Sequence, residues 1–533
     1  MTSERSDAYI DDILDFSELP ALNNEKSNIV EFFAQTNVLV TGGTGFLGKL
    51  LIEKLLRSCP DIKTLYMVVR SKKGKSSEER FKEAFDEVIY ERLKREQPNF
   101  FNKVVMIEGD AAEEDFGFTP EIKEILMNTN IIFHAAATVR FDEKLRLAVN
   151  INVRSTKSML LFARQLPNLK AYVHVSTAYS HCVRKSIDEK HYDAPIEGDK
   201  LISLVDSLDD DKLLKIGPVL LDHWPNNYVV TKATGEYMVL KYGVGLPICI
   251  VRPSIIISTA KEPIIAWTNN LYGATGVVMG TALGLLRTLH CKPEVKADII
   301  PADYVVNNIV SAAWGIGNRK LPELEQQSNL SNEDKIPIYN TVSSCQRPIT
   351  WGQFLELNKF YGISVPSKKV LWYHSIILQR NFFLYHIYSF FLHSIPAVIV
   401  DTIAYLIGQK PILVDAYRKI HKFSKVIHYF STQEWEFRNE NVMKLWQKLN
   451  SVDRETFYFN MEHLDWHEYH YHHIRGLRMY MLKDPLDTIE EGLVKYRKLR
   501  IAHYTILTII ALLLLWMFVS FVSFLWSFCP LAH

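Results

Sequence analysis

The stretch NNYVVTKATGE places Tyr228 and Lys232 four residues apart. On a helix that spacing puts both side chains on one face. A tyrosine beside a lysine can do acid–base chemistry. The ammonium lowers the phenol's pKa, and the phenol then protonates a carbonyl oxygen as hydride arrives. A Tyr-x-x-x-Lys pair alone is common and carries no meaning, so its position must give it weight. It lies downstream of AYVHVSTAYS, a strand-like run that ends in Ser176 and Thr177. Either hydroxyl can polarise the carbonyl. Thr177 is the stronger candidate, which leaves Ser176 to orient the loop.

The hydride needs a source, and NVLVTGGTGFLG supplies its site. Gly42, Gly45 and Gly48 form a G-x-x-G-x-x-G set after a strand-like run and before a helix-like one. Glycines there allow a tight turn and let backbone N–H groups approach a pyrophosphate at the helix N-terminus. Thr44, Phe46 and Leu47 belong to the same turn and are read with the glycines as cofactor-binding residues. The next strand discriminates between cofactors. A binder of NAD usually ends it in Asp or Glu, for the ribose 2′-OH. Here it runs into VVRSKKGKSS, where Arg70, with Lys72, Lys73 and Lys75 nearby, suits a 2′-phosphate and therefore NADPH. Asp110, at the end of IEGD, can accept from the adenine amine or simply close a turn.

These residues need a scaffold. Strand-like runs at 37–40, 65–69, 104–110, 131–137, 171–176 and 248–254 alternate with helix-like segments, KLLIEKLLRSC being amphipathic. That pattern predicts an α/β fold, a parallel sheet with helices on both faces. The pattern stops near Thr350, where aromatic, helix-rich sequence takes over, and no internal repeat is evident. The expected organisation is a polar leader (1–30), a catalytic dinucleotide-binding domain (31–350), a helical domain (351–485) and a transmembrane helix (505–528).

From Thr505 to Phe528 there are 24 residues without a charge. About 20 apolar residues cross a hydrocarbon core of roughly 30 Å. Tyr504, Trp516 and Trp526 supply interfacial aromatics, and Lys495, Arg497, Lys498 and Arg500 precede the run, which favours a cytosolic catalytic part. A second apolar region, 381–407, contains His386, His393, Pro396 and Asp401. A charge and a proline weaken the case for a span, so a buried or membrane-surface helix is the preferred reading there, with a second span or re-entrant hairpin as the alternative. The net charge is +1, which argues against nucleic acid as a partner. Six scattered cysteines include no CxxC pair, and the acidic N-terminus has no apolar core of a secretory signal.

The glycine loop, the Ser/Thr strand end and Tyr228-x-x-x-Lys232 resemble the extended short-chain dehydrogenase/reductases, whose fold is a Rossmann-type doubly wound parallel sheet. HAAATVRFDE (134–143), VRPSII (251–256), WTNNLYG (267–273), IPADYVVN (300–307) and IYNTVSS (338–344) sharpen the match to the fatty acyl-CoA reductases, of insect type. LHSIPAVIVDTIAYLIGQKP (392–411) and MEHLDWHEYHYHHIRGLRMY (461–480) look like that family's C-terminal domain. Ala135 and Pro253, inside two of these segments, join the cofactor-site candidates. One departure is visible: Ala266 stands where glycine is expected before the tryptophan, in a loop read as bearing on chain selectivity. The resemblance implies NADPH-dependent reduction of a long-chain acyl-CoA to a primary alcohol through an aldehyde, by a protein anchored in the bilayer of the endoplasmic reticulum or peroxisome.

The rival readings are a membrane-bound hydroxysteroid dehydrogenase and a non-catalytic NADPH-binding scaffold. The 461–480 segment argues against the first, and Tyr228 with Lys232 against the second. His463, His467 and His470 could share a helical face, but no carboxylate or cysteine is placed with them as a metal ligand. They are read as a polar aromatic surface or a membrane-facing helix. The acidic stretch that includes Asp188, Glu189, Asp209, Asp210 and Asp211 reads as a solvated insertion without a catalytic role.

Overall fold

The computed structural model describes residues 25–72, 74–319 and 335–527. Most of the expected leader (1–24), Lys73, Phe528 and Cys529 lie outside them. Seven strands form one parallel sheet: β1 (Asn37–Thr41), β2 (Thr64–Val69), β3 (Val104–Glu108), β4 (Ile131–His134), β5 (Ala171–Val175), β6 (Ile248–Pro253) and β7 (Ile338–Thr341). Their order across the sheet is β7-β6-β5-β4-β1-β2-β3. The chain reverses direction across the sheet between β1 and β4, and ligands bind at the carboxyl ends of strands at such a point.

Six of the seven strands start within a residue of the predicted runs. Their near-continuous apolar sequence follows from burial on both faces. Val38 and Val40 pack into the cluster on one face and Leu39 into the cluster on the other, the period-two alternation of a strand. The helix Phe46–Ser58 covers the first face and Asn227–Gly243 the second. Phe46–Ser58 departs from its amphipathic reading, because its charged side is also covered. Glu53, Lys54 and Arg57 are buried, and Glu262 accepts from Lys54 Nζ at 2.6 Å and from Arg57 Nη2 at 2.7 Å. Lys54 also donates to the Thr456 carbonyl, so this ion cluster fastens the C-terminal sequence to the glycine-loop helix.

The helical C-terminal part begins at the helix Trp351–Gly362. Thr350 caps it, with Gln353 closing a capping box. Two further parallel pairings knit this part to the sheet domain: Ile377–Gln379 beside Thr288–His290, and Glu436–Phe437 beside Ser186–Ile187. The acidic insertion is not simply solvated. Glu189 Oε1 accepts the Asn340 and Val442 backbone N–H groups at 2.9 and 3.3 Å, clamping the insertion to β7 and the C-terminal part.

Among the described residues, two helices are long and apolar enough to cross a membrane, Phe382–Leu406 and Leu486–Trp526. They point to a membrane-associated protein. In the second, every described side chain from Tyr504 to Trp526 faces outward. In the first, most of the apolar side chains are exposed, so it is a surface helix and not the buried one allowed by the sequence.

Candidate active site

The loop after β1 is shaped by what its glycines exclude. Gly42 has φ +75°, and a Cβ there would come within 2.8 Å of the Ala135 carbonyl and the Ala136 nitrogen. A Cβ on Gly48 would strike the Gly42 carbonyl. Only a bare backbone closes this turn, and it leaves a cradle at the N-terminus of Phe46–Ser58, capped by Gly45. Thr41 Oγ1 accepts from Ala136 N at 3.1 Å, which fixes the end of β4 against the loop.

Beyond β2, the Arg70 guanidinium lies 3.0–3.1 Å from both carboxylate oxygens of Asp110. Asp110 also accepts from Ala112 N at 2.9 Å. Two residues assigned separate tasks by sequence are thus partners. Arg80 was not foreseen. Its Nη2 donates to Thr44 Oγ1 at 3.1 Å, and its Nη1 to the Arg70 carbonyl. The helix Ser77–Phe85 brings this second guanidinium to the glycine loop.

Tyr228 and Lys232 sit on the helix Asn227–Gly243, whose start is capped by Asn226. Lys232 is buried and its Nζ donates to the Val175 carbonyl at 2.7 Å. Burial lowers its pKa to about 8, partly opposed by the Glu236 charge. The expected lowering of the phenol does not occur. Burial pushes Tyr228 up to about 12, and only the Thr177 hydroxyl pulls the other way. Desolvation of the phenolate dominates. A neutral phenol is therefore held at the site, next to Thr177. That threonine accepts from Tyr179 N at 3.3 Å and donates to the Pro253 carbonyl at 3.4 Å. Ser176 is engaged elsewhere, donating to Glu236 Oε1 at 2.5 Å.

All of these residues border one cavity of about 940 Å³. Gly42, Thr44, Gly45, Phe46, Leu47, Gly48, Arg70, Asp110 and Ala135 line one end; Ser176, Thr177, Tyr228, Lys232 and Pro253 line the middle. The C-terminal part and the segments beside it add an apolar end, formed by Val277, Leu289, Trp351, Phe354, Leu355, Ile427 and Phe430. Phe141 stands at the junction, its ring 5.5 Å from Tyr228 and 5.6 Å from Phe430. Beside it Asp142 pairs with Lys422 at 2.7 Å, joining the loop after β4 to the C-terminal helix Leu413–Thr432.

The family model described as male sterility protein, an NAD-binding one, matches residues 40–309. A second male sterility protein model matches 392–484. "Fatty acyl-CoA reductase wat" of Drosophila melanogaster is 37% identical over 486 residues, 91% of this chain and 92% of the relative. "Fatty acyl-CoA reductase 1" of Homo sapiens is 36% identical over 491 residues, with the same coverage. This chain belongs to the fatty acyl-CoA reductase family. The reductase is thus an oxidoreductase whose dinucleotide site takes a nicotinamide cofactor. Among solved structures, the reductase domain of a Mycobacterium tuberculosis non-ribosomal peptide synthetase covers 90% of this chain and 97% of its own, with TM-score 0.52 and 16% identity. The terminal R domain of the myxalamid pathway gives TM-score 0.51 at 16% identity, covering 91% of this chain and all of its own. At that identity the likeness concerns the fold.

Behind the reductase's Tyr228 helix lies a buried ionic cluster that motif reading missed. Glu236, one turn past Lys232, accepts from Ser176, from Ser180 at 2.9 Å, from His181 Nε2 at 3.1 Å, and from Arg252 Nε and Nη2 at 2.9 and 2.5 Å. Arg252 also donates to the Asp188 and Lys190 carbonyls at 3.1 Å. The only sequence signal was a carboxylate at i+4 from a lysine, which ordinarily means a solvated pair.

Ala266 departs from its expected role. It does not line the cavity; it is buried against Gly476 of the C-terminal part. Its φ is +59°, left-handed backbone that favours glycine. A side chain there costs about 1–2 kcal/mol, partly offset by the roughly 0.4–1 kcal/mol that glycine loses through the unfolded chain. Ala266→Gly is expected to stabilise the protein by about 0.5–1 kcal/mol, read by thermal unfolding, with chain-length preference unchanged.

The histidine segment also differs from expectation. His463 lies in a separate turn, Met461–His463, ahead of the helix Trp466–Gly476. His470 is buried, its ring 5.3 Å from Phe354, and burial holds it down at about 4. His470 is thus interior packing, while His463 and His467 are exposed and keep the polar surface character expected of them.

Proposed function

We propose that the protein reduces long-chain acyl-CoA to a primary alcohol with NADPH. One observation carries this reading: a single cavity is lined by the dinucleotide cradle, the Tyr228–Thr177 pair and a group of apolar side chains suited to a hydrocarbon chain. The cofactor supplies hydride when bound. The Gly42–Gly48 cradle, which a Cβ would fill, suits its pyrophosphate. Arg70 and Arg80, joined through the Arg70 carbonyl beside the glycine loop, would hold the 2′-phosphate, and Asp110, the partner of Arg70, would accept from the adenine amine. Arg is matched to phosphate by its fork of donors.

Tyr228 holds its proton at neutral pH and gives it to the substrate oxygen, while Thr177 donates to the same oxygen as negative charge develops. Lys232, whose Nζ donates to the Val175 carbonyl, would hold the nicotinamide ribose. The thioester carries its own leaving group, so no cysteine nucleophile is needed. Loss of the thiol leaves an aldehyde; once the oxidised cofactor has been exchanged for a second NADPH and Tyr228 has regained its proton from solvent, a second reduction at the same residues would yield the alcohol. The alcohol gains about 0.8 kcal/mol per CH₂ on leaving water, so an anchored enzyme releases it where it partitions. On this reading the uncharged run 505–528 is that anchor and the catalytic part faces the cytosol.

Incubating membranes that carry the protein with NADPH and acyl-CoAs of several lengths tests the assignment. Absence of aldehyde and alcohol from every chain would sink it. The cofactor choice has its own test. Removing a charged hydrogen bond costs about 1.5–3 kcal/mol, or roughly 10–150-fold. Arg70→Ala should raise KM for NADPH by that factor and leave KM for NADH little changed; equal effects on both would overturn the 2′-phosphate role.

A further inference from the structure

The apolar helical run Phe382–Leu406 turns one narrow stripe to the protein. Tyr385, Ser389, His393, Ala397 and Asp401, each four residues from the next, are buried. The other faces are apolar and open: Phe383 is 71% exposed, Phe391 60%, Ile399 53% and Leu406 75%. Contiguous apolar surface of this kind marks an interaction site. The polar members of the stripe are tied to protein. Asp401 accepts the backbone N–H groups of Ile412, Leu413 and Val414 at 2.8–3.1 Å. His393 Nε2 accepts from Arg287 N at 3.0 Å. A run that crossed a bilayer would have to abandon these bonds in hydrocarbon.

Two observations name the occupant. The following helix, Leu413–Thr432, presents exposed Arg418, Lys419 and Lys425 along its length, with Lys410 at the turn before it, cations suited to anionic headgroups. The segment that leads toward the run also meets the long apolar helix where its uncharged part begins. Trp372 Nε1 donates to His503 Nδ1 at 3.1 Å, and the Tyr373 ring lies 5.8 Å from Tyr504. His374, Ser375 and Ile376 separate these two residues from the strand Ile377–Gln379, which leads into the run. The uncharged segment starts just after Tyr504, so one bilayer surface meets both elements.

We propose that Phe382–Leu406 lies monotopically in the membrane interface, its outward face in the acyl region of the leaflet that the long helix enters, without crossing. The surface is a lipid-docking site. It also backs the catalytic cavity. In the strand Thr288–His290 and just after it, Leu289 and Cys291 line the cavity, while the His290 ring packs 5.4 Å from Phe382. If the cavity's apolar end holds the acyl chain, as proposed above, that end lies one strand from lipid.

The test uses the full chain in vesicles of phosphatidylcholine and phosphatidylserine. Nitroxides are placed at Phe391→Cys, Ile399→Cys and Leu406→Cys, with Lys419→Cys for comparison and the parent chain as background. All four positions are exposed, so packing is left intact. Expected is several-fold greater relaxation by oxygen than by a water-soluble nickel chelate at the first three positions, and the reverse at the fourth. Strong relaxation by nickel at all three would place the face in water and overturn the proposal. Exclusion of both probes, with cross-linking between copies, would assign the face to a second copy and also overturn it. Lys410→Cys should react with an impermeant maleimide on the side of the catalytic part; reaction only after permeabilisation would mean a span and reject the monotopic placement. No substrate is used, so either result leaves the reaction assignment standing on its own assay.

Discussion

Tyr228→Phe is expected to lower kcat by about 10²–10⁴-fold while cofactor binding persists. That loss corresponds to roughly 3–5 kcal/mol of transition-state stabilisation. The size follows from the site. Burial holds the phenol at a pKa of about 12, so at neutral pH it is a proton donor in essentially every molecule. Removing its oxygen leaves the Thr177 hydroxyl as the remaining donor near the carbonyl. Thr177 can still polarise the substrate, but its proton is bound too tightly to replace the acid. Phenylalanine preserves the ring contact with Phe141, so the cavity keeps its shape. Stopped-flow or single-turnover assays separate chemistry from binding, and dinucleotide titration checks the cradle. Near-normal turnover in the variant would remove Tyr228 from the acid role. A loss confined to cofactor affinity would make it a binding residue instead.

Glu236→Gln should produce the largest loss of stability. The carboxylate and the Arg252 guanidinium are 2% and 0% exposed, so neither can turn to water when the other is neutralised. Breaking a buried ion pair by removing one partner costs about 3–5 kcal/mol. At about 2–4 °C per kcal/mol, thermal unfolding should shift down by roughly 10 °C. Turnover should fall as well, because Ser176 and Ser180 lose the acceptor that orders the end of β5 beside Thr177. Replacing Glu236 and Arg252 together with methionine should recover part of the stability, since no charge is then stranded. A double variant worse than the sum of the singles would count against an ionic origin.

The pH dependence of this cluster has a definite sign. Burial alone would raise the Glu236 pKa, but Arg252 and His181 overcome it and hold it well below the ordinary 4.5. Its contribution is therefore fully present above about 4.5 and fades as pH falls toward the native-state value. Glu236→Gln should narrow the stability difference between neutral and acidic solution.

Several features were legible in the chain because they depend on local geometry. Continuous apolar runs flanked by helical repeats specify strands buried on both faces, and six of the sheet's strands are where that pattern puts them. Glycine at Gly42 and Gly48 is a requirement of a tight turn, so the cradle is recognisable without coordinates. Four-residue spacing puts Tyr228 and Lys232 on one helical face in any fold. The strand β7 escaped notice because IYNT is short and lies at the sheet edge, with no flanking periodicity to announce it.

Long-range partnership is what only the tertiary structure decided. Sequence spacing assigned Lys232 to the phenol, but folding gave its ammonium to the Val175 carbonyl and left burial to set the Tyr228 proton. Arg70 and Asp110 are 40 residues apart and form a pair. Asp142 and Lys422 come from different halves of the chain and hold the apolar end against the cradle. The charged side of Phe46–Ser58 looks like a water-facing surface until the C-terminal sequence covers it. The 24-residue uncharged run declares its preference for lipid by composition alone. For Phe382–Leu406 composition was ambiguous. The deciding fact is that Asp401 and His393 find partners in the protein, and those partners exist only after the chain has folded.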